Sequence, residues 1–153
     1  MKTIHDLVRN APSGWERSQP AEPDDIGRLE RRAPLPLPAD YLDFLRASNG
    51  GEGPLGVEPG WFAIWPVEHV WERNLELSVF TELPGYFAFG SNGAGEMFVL
   101  HLAAGEPFPV SMVPSIGDGL VDLVRVAPSF RALVEQFGVE MPESEVTDSA
   151  VES

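Results

Sequence analysis

The stretch YFAFGSNGAGEMFVLHL, residues 86–102, decides the fold. Two β-rich runs, 86–90 and 96–102, flank Ser91, Asn92, Gly93, Ala94 and Gly95, whose turn chemistry predicts a hairpin. In the second run Met97, Val99 and His101 alternate with Phe98, Leu100 and Leu102, so both faces of this strand read as largely covered. Outward along the chain, Ala104, Gly105 and Glu106 predict the next turn and 108–113 a third strand. Pro107 and Pro109 place the start of that strand at a sheet edge or an inlet, because proline supplies no ladder donor. Residues 120–126 read as a fourth strand. Pro128 then opens a helix whose Phe130, Leu133, Val134 and Phe137 form an apolar stripe closed by Gly138.

On the other side of the hairpin the pattern is mainly helical. Asp24 and Asp25 precede a helix carrying Ile26, Leu29 and Ala33 on one face, with acids at its positive end. Leu35 to Pro38 must be extended, since its prolines disfavour helix in the residue before each of them. Pro38 opens a second helix, in which Tyr41, Leu42, Phe44, Leu45 and Ser48 recur at the spacing of a buried face. Asn49, Gly50 and Gly51 end it and lead into a loop running to Gly60. Residues 61–65 form a short aromatic strand, and Pro66 begins a helix lined by Val67, Val70, Trp71 and Asn74. Pro12, Gly14, Pro20 and Pro23 mark 1–23 as an N-terminal arm, and 139–153 reads as an acidic, mobile tail. The expectation is one α+β domain over 24–138, a twisted, mainly antiparallel sheet flanked by helices, with no internal repeat.

Composition bounds the function. The 153 residues include 43% hydrophobic side chains, nine Phe and four Trp among them, enough for one domain hiding about 70% of its unfolded surface. Cysteine is absent, which excludes a disulfide framework, a thiolate zinc site and a cysteine nucleophile. The start, MKTIHDLVRN, lacks the apolar core of a signal peptide, and every uncharged run is broken short of a membrane span. A cytoplasmic protein that does not enter membranes is expected. There are 24 acids against 10 bases, a net charge of −14. The first 33 residues are balanced, and the excess lies beyond them. Such a field repels phosphates, so direct nucleic-acid binding is disfavoured; it attracts basic proteins and speeds their encounter. Solubility alone also explains an acidic surface, and from charge alone that reading is the stronger.

Residue types that carry chemistry are scattered. His5, His69 and His101 lack the close spacing of metal ligands on one helix. Gly93 and Gly95 miss the third glycine of a dinucleotide loop, and a strand follows them. Asp118 with Asp122, or Glu52 with Glu58, would be the carboxylate pairs for acid–base work or cation binding, but Asp118-Gly119 is an ordinary turn dipeptide. No catalysis, metal or cofactor is expected. The aromatic group Trp61, Phe62, Trp65 and Trp71 reads mainly as core. If one indole is exposed, it is Trp61, which follows the glycine-rich loop.

Four blocks stand in a recognisable order: LPADYLDFLRASNGG (37–51), FAIWPVEHVWERN (62–74), FAFGSNGAGEMFVLHL (87–102) and VAPSFRALVEQFG (126–138). Together they resemble the SUKH superfamily, which includes the yeast cell-wall-assembly regulator and many bacterial immunity proteins. The matching positions of its L-P-x-D-Y-x-x-F-L helix and N-G-G ending are Leu37, Pro38, Asp40, Tyr41, Phe44, Leu45, Asn49, Gly50 and Gly51. The resemblance implies the same helix-covered sheet and a non-enzymatic binding module, and it carries no catalytic residue across. The leading expectation is an immunity protein that neutralises a cognate toxin, such as a basic nuclease, by presenting negative charge on a rigid fold. Glu52, Glu58, Glu96, Asp118 and Asp122 are the candidate contacts, with Trp61 as aromatic anchor. The spacing leaves open whether they share a face, and the oligomeric state is left open too. The alternatives are a cytoplasmic scaffold or regulator that binds an endogenous partner and, from another class, an enzyme using Asp118 and Asp122.

Overall fold

The computed structural model describes residues 2–10, 14–115 and 122–141. Their elements run α1 (Ile4–Arg9), β1 (Glu16–Arg17), α2 (Pro23–Arg32), α3 (Ala39–Ala47), β2 (Gly51–Pro54), β3 (Trp61–Ile64), α4 (Val67–Glu76), α5 (Val79–Glu82), β4 (Tyr86–Ser91), β5 (Glu96–His101), β6 (Val110–Pro114), β7 (Val124–Ala127) and α6 (Phe130–Val134). Among the described residues the seven strands make one sheet whose spatial order is the chain order, and every neighbouring pair is antiparallel. The α+β single-domain expectation is met.

One face of the sheet carries the aromatic core. Phe62, Phe87, Phe89 and Phe98 point from β3, β4 and β5 toward Tyr41 and Phe44 of α3 and Phe130 of α6, and all seven are buried. Tyr41 and Phe130 meet edge to face at 5.4 Å, and Phe62 stacks on Phe137 at 3.7 Å. Edge-to-face pairs of this kind contribute roughly 0.5–1.5 kcal/mol beyond the area they bury. Tyr41 brings a cost with it: its hydroxyl is buried without a hydrogen-bond partner among the described residues, and burial pushes the phenol far above its ordinary pKa.

The segment read as an N-terminal arm is part of this core. Ile4 and Val8 of α1 are buried, and Trp15 packs against Phe44, Phe62 and Phe137. Thr3 starts α1 with a capping box: its Oγ1 accepts from the Asp6 N–H at 3.0 Å, and its own N–H donates to the Asp6 carboxylate at 3.3 Å. Those bonds from Thr3 hold the Asp6 carboxyl below its usual range. The punctuating prolines and glycine hid this, because an indole needs no regular element around it to bury its surface. β2 explains how it is seated. A Cβ at Gly51 would lie 2.7 Å from the Trp15 ring, and one at Gly53 would overlap the Trp15 Cβ. The absent side chains of β2 are the slot that receives the indole. The stretch expected as a loop from Asn49 to Gly60 therefore contains a strand, with β1 paired to it.

Other boundaries moved for local reasons. α5 was not expected. The third strand starts at Val110, because Phe108 adopts φ 59° and closes a turn by donating its N–H to the Gly105 carbonyl at 2.8 Å. The fourth starts at Val124, and 120–121 lie outside the described residues. At the other end Gly138 donates to the Pro54 carbonyl at 2.8 Å, while Val139 and Met141 lie against Gly56 and Gly60. Residues 142–153 of the expected tail lie outside the described residues.

Candidate docking face

Partners across a sheet share a face, so the strand register assembles the site. Glu16 of β1 lies opposite Glu52 of β2, Glu52 opposite Ala63 of β3, and Ala63 opposite Ser91 of β4. Phe62 and Ile64 alternate with Ala63 and point into the core, so this row faces the other way. Trp61, two residues from Ala63, shares the outward face. It is 42% exposed, and the position of a Cβ on Gly93 lies 3.5 Å from its ring, so the β4–β5 turn runs beside the indole. Trp61 is thus the exposed tryptophan, where a loop-following indole was expected.

Glu16 and Glu52 are both exposed, and their side chains leave the sheet about 5 Å apart, the separation of directly opposed residues. Like charges in that relation destabilise a sheet. Among the described residues neither carboxylate has a hydrogen-bond or ion-pair partner. A groove of about 380 Å³ lies alongside, and its lining includes Glu16, Arg17, Asn49, Glu52, Ala63 and Trp65.

The remaining candidates are dispersed. Glu58 is exposed at the tip of the β2–β3 loop, beyond the Leu55 N–H to Gly60 carbonyl bond of 3.1 Å. Glu96 alternates with Met97 and so belongs to the opposite face. Its carboxylate accepts from Asn92 Nδ2 at 2.8 Å, and Asn92 Oδ1 accepts from the Ala94 and Glu96 amides, which makes Glu96 a member of the turn. Asp122 is exposed just ahead of β7, five strands from β2, or about 24 Å at ordinary strand spacing. Asp118 lies outside the described residues. The structure therefore places Glu52 and Trp61 on one face with Glu58 on the adjoining loop, and sets Glu96 and Asp122 elsewhere. Glu16 was missed, because only the pairing of β1 with β2 reveals its neighbour.

The N-G-G junction has a structural role. Asn49 Oδ1 accepts the Val67 N–H at 2.7 Å and its Nδ2 donates to Glu68 at 2.8 Å, capping α4 from outside the helix. Its own N–H donates to the Gln19 carbonyl at 2.8 Å. Ser48 is fully buried and satisfied: its hydroxyl accepts from the Ser18 N–H at 2.8 Å and donates to the Gly50 carbonyl at 2.6 Å. Gly50 has φ 96°, and a Cβ there would lie 2.6 Å from the Ile64 carbonyl oxygen. Ser48, Asn49 and Gly50 thus pin β3, α4 and the 18–19 segment to the end of α3.

Of the histidines, His5 and His69 are exposed, and His101 stacks on Tyr86 at 4.2 Å. Among the described residues no group of three or more His, Asp or Glu is placed to hold a metal ion. No helix among them is long and apolar enough to cross a membrane.

The fold is that of a helix-covered antiparallel sheet with Glu16, Glu52, Ala63 and Ser91 in one outward-facing row. Residues 20–136 match the model of the SMI1/KNR4 family (SUKH-1), and the chain belongs to that family. No curated protein matches it. Membership supports a toxin-immunity or related role in general. The matched span starts after Trp15, so α1, Trp15 and Glu16 lie outside it.

Proposed function

We propose that the protein is an immunity protein that binds and neutralises a cognate toxin effector of a bacterial polymorphic or contact-dependent toxin system, in the cytoplasm, without making or breaking a bond. The observation that carries this reading is an exposed Trp61 beside Glu52 on an outward sheet face of a SUKH-family protein. A partly exposed tryptophan with an acid on the same sheet face has the composition of an interface hot spot, and a net charge of −14 steers a basic partner toward it. A basic nuclease fits that field, because its cleft is built to hold phosphates. Glu52, Glu58 and Trp61 make the contact, and Glu96, Asp118 and Asp122 add to the negative field around it.

The test is titration of the toxin domain encoded beside the gene, at several salt concentrations. Stoichiometric loss of toxin activity is expected, with association slowed by salt. A toxin that stays fully active in excess protein overturns the reading. The same family match supports a regulatory module bound to an endogenous partner, and that alternative gains if no secreted protein with a C-terminal toxin domain is encoded nearby.

A further inference from the structure

We propose that the outward face of β1–β3 docks an arginine of a basic protein partner, the guanidinium lying between Glu16 and Glu52 and the side chain passing over Ala63 toward Trp61. This rests on the protein-binding reading above and adds the place and the chemistry. Three features of the face select the occupant. The two carboxylates are opposed across neighbouring strands, about 5 Å apart at their bases, a gap that one planar guanidinium with five donors bridges. The floor between them and β4 is Ala63 and Ser91, small enough to leave the groove open. Trp61, 42% exposed on the same face, offers its ring to a weakly hydrated cation.

Among the described residues, neither Glu16 nor Glu52 has a partner from the chain itself. Arg17 lines the groove, but its Nε donates to the Val8 carbonyl at 2.7 Å and its guanidinium lies 4.6 Å from the Trp15 ring centre, which directs the side chain away from both carboxylates. Arg73 lies 5.3 Å from the centre of Trp65 and is outside the groove lining. Both show that indoles of this fold accept a guanidinium. A partner arginine would do the same from outside while relieving the repulsion between two carboxylates that face each other across β1 and β2.

The experiment measures binding of an eight-residue arginine peptide by calorimetry at low salt, with lysine and glutamate peptides of equal length as comparisons. The double variant Glu16→Gln/Glu52→Gln is set against Glu30→Gln/Glu82→Gln, which removes the same charge from α2 and α5. The first is expected to weaken the arginine peptide by about tenfold or more, the second by about twofold or less through the distant field alone. Wild type is expected to prefer arginine over lysine. The docking variant is also expected to melt at or above the wild-type Tm, since it removes a like-charge pair. The proposal is overturned by absence of saturable wild-type binding, by equal loss in the two double variants, by equal affinity for lysine, or by a lowered Tm in the docking variant. Toxin assays separate this from the immunity reading. A toxin neutralised equally by the docking variant overturns the surface and leaves immunity standing. A toxin untouched by wild type, with the peptide contrast intact, does the reverse.

Discussion

Replacing Asn74 with alanine should unfasten α4 from the side of β4 that β3 leaves unpaired. β3 pairs with β4 only as far as Ile64 opposite Gly90, followed by the Trp65 N–H to Phe89 carbonyl bond of 3.0 Å. Beyond that point α4 takes over, and the Asn74 carboxamide does the work of a strand. Its Oδ1 accepts the Ala88 N–H at 2.8 Å, and its Nδ2 donates to the carbonyls of Ala88 and Val70 at 2.9 Å each. Asn74 and Ala88 are both fully buried, so water does not reach the groups left behind. Alanine would orphan the N–H and C=O of Ala88, each costing about 1–3 kcal/mol, for a total of about 2–6 kcal/mol. That is a large share of the roughly 5–15 kcal/mol that holds a domain of this size together. Urea unfolding followed by tryptophan fluorescence should show a lower midpoint at unchanged slope. Asn74→Asp keeps one acceptor but loses both donors and buries a charge. Its deficit relative to wild type should be largest at pH 7 and shrink toward pH 4, where a protonated carboxyl donates again. A loss below about 1 kcal/mol for Asn74→Ala would refute the reasoning, because it would mean that Ala88 finds other partners.

Tyr41→Phe removes a buried hydroxyl with no partner and should stabilise the protein by about 1 kcal/mol. Because burial raises the phenol's pKa, the folded state keeps the proton while the unfolded chain releases it above about pH 10. Wild-type stability should therefore fall as pH rises beyond that point, and Tyr41→Phe should flatten the fall in paired denaturation curves at pH 8 and pH 11. Gly53→Ala should lose about 3 kcal/mol or more and red-shift the fluorescence, since its methyl would occupy the place of the Trp15 Cβ; an unshifted spectrum would show that Trp15 is not seated on β2. Ending the chain at Gly138 removes Val139 and Met141 from Gly56 and Gly60; the fold should persist, with a Tm lower by roughly 2–4 °C in calorimetry.

Much of the fold was legible wherever apolar residues repeat on one side. The stripes Ile26/Leu29, Tyr41/Phe44/Leu45, Val67/Val70/Asn74 and Phe130/Leu133/Val134 all became buried helix faces. The hairpin around Asn92 and Gly93 formed as its turn chemistry required. β2 was illegible for a physical reason: the residues that face the core, Gly51 and Gly53, carry no side chain, so the strand shows no alternation, and its identity depends on an indole far away in sequence. The docking face divides in the same way. Trp61 could be picked out from the loop before it. The proximity of Glu16 to Glu52 is a matter of strand pairing and has no signature in either segment. Glu96 looked available from its place after a turn, but Asn92 already holds it.

The stacking of Phe137 on Phe62, with Trp15 against both, joins segments made before and after most of the sheet. While the chain is being made, the β4–β5 hairpin can close locally, but the slot over β2 lacks its lid until α6 and Phe137 have left the ribosome. Until then Trp15, Phe44 and Phe62 present a sticky aromatic surface of the kind that chaperones hold or that nucleates aggregation. Final closure therefore waits for α6, and a stall in translation just before α6 would leave that aromatic surface uncovered.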